Sequence, residues 1–146
     1  MITRFKDEYR WLSNFAEVSV EWEGSVYSSV ENAYQAAKSM DESWRVYCAT
    51  ENRPGKVKKA SRRISVREDW EEVKIGVMKA LLEQKFSKEP YMSLLIETGN
   101  TYIIEGNNWG DTFWGVDLTT GEGYNVLGNL IMDIRRVLTG ADKLVF

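Results

Sequence analysis

The sequence contains no histidine, one cysteine and two prolines among 146 residues. Without imidazole there is no Ser-His-Asp triad and no His-built metal site. Cys48 alone forms no internal disulfide and no thiolate zinc site. With no imidazole to activate it, Cys48 is not expected to be a nucleophile. No apolar run approaches transmembrane length, and Met1–Asp7 carries charge within a few residues, unlike a secretory signal. The expectation is a cytoplasmic protein that needs no membrane, no metal and no cofactor. Acid–base chemistry is left to carboxylates, tyrosine, lysine or bound water.

At this length one domain, residues 1–146, is expected to bury about two thirds of its unfolded surface. The net charge of −3 is unevenly spread. Arg53, Lys56, Lys58, Lys59, Arg62, Arg63 and Arg67 follow one another with no acid between them, leaving 12 basic against 22 acidic residues elsewhere. One basic patch on an acidic chain suits a small anionic ligand better than a nucleic-acid track. A solvated helix face is the alternative.

The most informative stretch is Ser28–Lys38. Ser28, with Glu31 three residues on, reads as a capping box. Val30, Ala33, Tyr34 and Ala37 then recur at helical spacing, and Glu31, Gln35 and Lys38 share a neighbouring stripe. Glu31 is open to two readings, a cap or a carboxylate facing a cleft. The positive helix end favours its ionised form in either case.

Around this helix, Ile2–Phe5 reads as a short strand and Tyr9–Phe15 as an aromatic-rich loop. Val18–Trp22 alternates as a half-buried strand, and Glu23-Gly24 turns the chain into Ser25–Tyr27. Helices are expected over Asp41–Glu51 and Lys56–Arg63, and from about Arg67 to Phe86, the last capped by Ser65 and Glu68. Pro90 restarts a helix that Gly99 ends, and Tyr102–Ile104 is β-prone. Asn125 is expected to cap a final helix with Leu127, Leu130, Ile131, Ile134 and Leu138 as its core stripe. The fold class is α+β, predominantly α-helical, a single helix-rich domain with a small antiparallel β element.

Glu105–Gly115 packs two tryptophans, several acids and amides, and three glycines into 11 positions. Asp111, beside Trp109 and Trp114, is either partly desolvated for chemistry or forms an Asx-turn that shapes the loop. Two carboxylates, Glu31 and Asp111, flanking a reacting carbon would stabilise an oxocarbenium-like state while one orients water. Trp11, Phe15, Trp70 or Trp114 would stack on a base or cap a sugar, and the cations would hold phosphate. For Trp70, core packing accounts equally well for the pattern. This is the inventory for cleaving a nucleotide-like N-glycosidic bond.

Several stretches, in this order, resemble the NADAR superfamily, also called the YbiA-like family. They are Trp11–Phe15, Tyr27–Lys38, the basic segment after Pro54, Asp69-Trp70, Lys85-Phe86, Thr98-Gly99, Glu105–Gly115, and Gly123–Gly128 with its helix to Arg135. The resemblance implies a helix-rich fold with a small β element. It also implies an N-glycosidase, acting either on phosphorylated intermediates of riboflavin synthesis or on ADP-ribosylated guanine in nucleic acid. Glu31, Asp111 and Trp70 correspond to the family's functional glutamate, aspartate and tryptophan. Lys38, Lys59 and Arg62 match basic positions suited to phosphate, and Asn14 and Trp114 match pocket walls. Asn32 stands where the family often has histidine, and Ser61 precedes Arg62 where glycine is usual. Asn32, placed with the substrate-binding residues, can hydrogen-bond but cannot shuttle a proton at neutral pH. A non-catalytic ADP-ribose or NAD-binding module and a purely structural domain are the alternatives.

Overall fold

A computed structural model describes residues 1–140, and the chain divides into two units, Asn14–Lys85 and Met1–Ser13 together with Phe86 onward.

In the Asn14–Lys85 unit, β1 (Glu17–Trp22) pairs antiparallel with β2 (Ser25–Ser29), Val20 opposite Tyr27 and Trp22 opposite Ser25. Glu23 and Gly24 both take positive φ, 46° and 88°, the turn whose twist matches the flanking strands. Val18 and Val20 face inward while Glu17, Ser19 and Glu21 face solvent, as the alternation predicts. The Gln84 side-chain amide both donates to and accepts from the Glu21 backbone, each at 2.7 Å. It thereby stands where a further strand would.

Four helices follow: α1 (Val30–Ala37), α2 (Glu42–Thr50), α3 (Pro54–Ala60) and α4 (Trp70–Lys85). A 3₁₀ turn at Ser61–Arg63 extends α3, matching the expected basic helix. Pro54 opens α3 at its first turn, where its missing N–H is not needed. Asp41 caps α2 by accepting from the Ser43 N–H at 2.9 Å. The fourth helix begins at Trp70 rather than near Arg67, and Ser65 and Glu68 form no capping box. Instead the Arg67 guanidinium grips the Asp69 carboxylate at 2.6 and 3.0 Å, and the Arg67 N–H donates to the Lys38 carbonyl at 2.7 Å. The start of α4 is thereby tied to the end of α1. Helix α1 lies against α2, α3, α4 and both strands. All eight of its residues are buried, so Glu31 and Gln35 of the polar stripe are enclosed with the apolar one, while Lys38, just past the helix, is half-buried.

In the other unit, Asp7–Leu12 forms 3₁₀ turns, which take up the first part of the aromatic-rich loop expected over Tyr9–Phe15. Ile2–Phe5 contributes one parallel bridge, Ile2 to Ile103, rather than a strand. Helix α5 (Tyr91–Glu97) ends before Gly99, whose φ of 62° suits glycine. Strands β3 (Gly106–Asn107) and β4 (Val116–Asp117) pair in parallel, so the β structure is not solely antiparallel. Helix α6 (Val126–Leu138) buries Leu127, Ile131 and Ile134 and half-buries Leu130 and Leu138. Asn125 occupies the cap position but in left-handed backbone, and its side chain does not cap. It spans backward instead, donating to the Ile103 carbonyl and accepting from the Glu105 N–H, both at 2.9 Å. Among the described residues, no helix is long and apolar enough to cross a membrane.

Candidate active site

The cap of α1 decides how Glu31 is read. The extended backbone of β2 runs on through Ser29, which pairs with Glu17. The helix therefore starts one residue later than the Ser28–Glu31 box required. Ser29 is the N-cap, its hydroxyl accepting from the Asn32 N–H at 3.0 Å and donating to Asn32 Oδ1 at 2.8 Å. Asn32, not Glu31, answers the cap. The Glu31 carboxylate is left for other work, and its cap reading is corrected.

That carboxylate is buried, with its residue 7% exposed. Gln35, one turn on, donates from Nε2 to Glu31 Oε2 at 2.6 Å, and the Glu31 N–H donates to the Asn14 carbonyl at 3.0 Å. Burial raises the Glu31 pKa above its ordinary value; the Gln35 hydrogen bond and the charges of Lys58 and Lys38 oppose the rise without cancelling it. Burial likewise lowers the Lys38 pKa, with Lys58 and Lys74 adding to the fall and Glu31 resisting it. A desolvated carboxylate facing two ammonium groups is the pattern of a tuned site rather than of a solvated helix face.

Aromatic rings complete the surroundings. Trp70 is buried, and its ring centroid lies 5.0 Å from that of Tyr34 at a tilt of 59°. Lys38 Nζ lies 5.4 Å over the Tyr34 ring, and Lys58 Nζ lies 5.9 Å over that of Phe15. Asn14 donates weakly to Met78 Sδ at 3.6 Å, while its Oδ1 is buried with no partner. Glu31, Trp70, Asn14 and Lys38 thus belong to one unit.

The other expected residues of this unit fare differently. Asn32 donates to the Cys48 and Glu51 carbonyls at 2.9 and 2.7 Å. Its amide nitrogen thus ties α1 to α2 and the cap after it, and its oxygen is taken by the Ser29 hydroxyl. Its geometry is structural. Lys58, Lys59 and Arg62 are all exposed on α3 and the turn after it; of the α3 lysines, Lys58 is the one whose charge bears on Glu31. Lys58 and Gln35 stand in the sequence only as members of the basic run and of the polar stripe, and neither is singled out there as a site residue. The i, i+4 spacing of Glu31 and Gln35 was the available signal for the second. No sequence signal separates Lys58 from Lys59. Two of the seven cations are neutralised locally, Arg53 by Glu51 and Arg67 by Asp69. Cys48 is buried and its thiol pushed up to about 12 by burial, which leaves little thiolate at neutral pH.

Asp111 and Trp114 belong to the other unit. Asp111 Oδ1 accepts from the backbone N–H groups of Phe113 and Trp114 at 3.1 and 2.9 Å, so the Asx-turn reading describes that oxygen. The hub of the loop is Asn107, 2% exposed. It accepts from the Asp111 N–H at 3.0 Å and donates to the Asp111 carbonyl at 2.9 Å and to Glu105 Oε2 at 3.2 Å. Gly115 leaves no room for a side chain, since a Cβ there would meet the Glu105 carbonyl and carboxylate. The Trp114 ring meets Phe113 edge-on, centroids 4.9 Å apart. The loop is thus held by its own polar groups and by the Tyr124, Asn125, Val126 and Leu127 N–H groups, which donate to the Thr112, Gly115, Phe113 and Trp114 carbonyls; Asp111 is half-buried within it.

Residues 2–139 match the NADAR domain family. The N-glycosidase YbiA of Escherichia coli (strain K12) is 33% identical over 135 residues, covering 90% of this chain and 83% of that protein. The NMR structure of the E. coli protein YbiA superposes with a TM-score of 0.82 at 28% identity, covering 100% of this chain and 91% of that one. The riboflavin biosynthesis protein PYRR, chloroplastic, of Arabidopsis thaliana is 45% identical over 76 residues, which are 51% of this chain and 12% of that protein. With the fold and the ordered motifs in agreement over nearly the whole sequence, this chain belongs to the NADAR family, among its YbiA-like N-glycosidases.

Proposed function

We propose that the chain acts in the cytoplasm as one NADAR domain, hydrolysing the N-glycosidic bond of a phosphorylated ribosyl or ADP-ribosyl substrate. The substrate is a ribosylamine intermediate of riboflavin synthesis or ADP-ribosylated guanine. The observation that carries this reading is the buried Glu31 carboxylate, raised in pKa and held by Gln35 in the field of Lys38 and Lys58. As the C1′–N bond breaks, its electron pair leaves with the base, and the ribosyl carbon gains oxocarbenium character. Glu31 stabilises that cation and takes the proton of the water that adds to it. Trp70 caps the sugar or stacks on the base, and Lys38 and Lys58 hold phosphate, with Lys59 and Arg62 at the outer end of the same basic segment. Asp111 supplies the complementary acid–base or ribose-hydroxyl role, with Trp114 beside it in sequence. The riboflavin choice is supported by the similarity to the PYRR protein over half of this chain.

The test is chromatography of products from a panel of ribosylated and ADP-ribosylated substrates, with wild type and Glu31→Gln. Wild type is expected to release the free base and ribosyl product, and Glu31→Gln to lose about 10²- to 10⁴-fold in rate with its circular dichroism unchanged. Tight ADP-ribose binding with no product after long incubation would overturn hydrolysis in favour of a binding module.

A further inference from the structure

Gln35 is held at every end but one. Its backbone carbonyl accepts from the Trp44 indole N–H at 2.8 Å and from the Lys38 N–H at 3.2 Å. Its side-chain Nε2 donates to Glu31 Oε2 at 2.6 Å. Turning the amide over would set its oxygen against the carboxylate, acceptor to acceptor, so the hydrogen bond to Glu31 fixes which way Oε1 points. That oxygen is buried and has no hydrogen-bond partner, in a residue only 3% exposed. An orphaned buried carbonyl is uncommon in a folded protein and asks for the group that completes it. By the covalent geometry of the amide, that group sits within a few ångströms of the Glu31 carboxylate.

A second buried acceptor with no partner, Asn14 Oδ1, belongs to the residue whose carbonyl holds the Glu31 N–H. The orphaned oxygens of Gln35 and Asn14 therefore call for donors, while the positive charges of Lys38 and Lys58 that act on Glu31 favour an anion. A ligand that is a polyol at one end and a phosphate at the other meets both demands. An apolar or purely anionic ligand meets one.

We propose that Gln35 is a specificity-determining residue of this site, its Nε2 holding Glu31 and its Oε1 accepting a hydrogen bond from a hydroxyl of the bound ribosyl group. The inference rests on the ribosyl-phosphate reading above and deepens it. The attacking water also carries an O–H donor, and the experiment separates the two sources.

Binding of ribose 5-phosphate, 2-deoxyribose 5-phosphate and 3-deoxyribose 5-phosphate is measured by calorimetry for wild type and Gln35→Met. Methionine keeps the length of the side chain and removes both polar atoms. Wild type is expected to bind ribose 5-phosphate about tenfold more tightly than one of the two deoxy sugars, as the loss of one hydroxyl facing a buried acceptor implies. Gln35→Met is expected to bind that pair alike. A variant that keeps the wild-type preference overturns the assignment while leaving the ribosyl reading standing. So does a variant that keeps the preference but loses turnover, because Oε1 then serves the water. A wild type indifferent to all three sugar phosphates overturns both readings. Should Gln35→Met fail to fold, the Gln35 side-chain amide resonances of the wild type supply the answer. They are expected to shift with ribose 5-phosphate and less with the deoxy sugar that binds weakly; equal shifts, or none, overturn the assignment.

Discussion

Glu31 and Asp111 are the two carboxylates of the proposed chemistry, yet they are held in opposite ways. Glu31 is buried on a helix, takes its one side-chain hydrogen bond from another side chain and faces two lysines. Asp111 is half-buried in a loop, and one of its oxygens is engaged by the main chain two and three residues ahead. A carboxylate that answers backbone N–H groups shapes its own loop. One enclosed away from the backbone and tuned by ammonium groups has its charge available for a ligand.

The contrast is tested most severely by substitution with the isosteric amide. Glu31→Gln is expected to cost about 10²- to 10⁴-fold in turnover. Asp111→Asn keeps an acceptor for the Phe113 and Trp114 N–H groups, so its loop is expected to stay folded while turnover falls about 10²-fold. Asp111→Ala removes the acceptor and adds a stability loss of about 1 kcal/mol, read by denaturant unfolding. Full activity in Asp111→Asn would reduce Asp111 to an architect of its loop.

A smaller effect concerns pH. In the proposed mechanism Glu31 acts ionised, and burial raises its pKa, so activity is expected to fall with acidification at a pH above the ordinary glutamate value of 4.5. The groups that act on it are Lys38 at the end of its own helix and Lys58 on α3; Lys74 on α4 acts on Lys38, and Cys48 on α2 is neutral. Lys58→Met withdraws a positive charge and is expected to move this acid limb to higher pH, whereas Lys59→Met leaves it in place. Equal shifts in the two variants would show that the basic segment acts as a diffuse field.

The smallest effect is on stability. A carboxyl whose folded pKa exceeds its unfolded one binds more protons in the native state, so stability declines as pH rises above 4.5. Glu31→Gln lacks that decline. Its Tm is expected to exceed that of wild type near neutral pH and to approach it at low pH, with thermal melts across the range as the measurement.

Most of the helices and the hairpin were legible because each is a local decision. Glu23-Gly24 demands a turn with positive φ, Val18 and Val20 alternate with polar residues, and Leu127, Ile131 and Ile134 return at helical spacing. The errors lie where distant partners overrule a local preference. Ser28 lost the cap to Ser29 because Glu17 extends the strand by pairing. Asn125 does not cap its helix because the carbonyl of Ile103 and the N–H of Glu105 claim its amide; the Val126 and Leu127 N–H groups donate to the Phe113 and Trp114 carbonyls instead.

The same division runs through the site. Sequence alone determined that no imidazole or disulfide takes part, that Glu31, Gln35 and Lys38 leave one helix in similar directions, and that the family's motifs stand in order. Helical periodicity and residue chemistry suffice for those statements. Only the tertiary structure decided that the whole of α1 is enclosed, that Asn32 braces the fold, that Lys58 rather than Lys59 acts on Glu31, and that Gln35 keeps an unanswered oxygen. Burial and electrostatic coupling depend on neighbours brought in from α2, α3 and α4, and spacing along the chain carries no record of them.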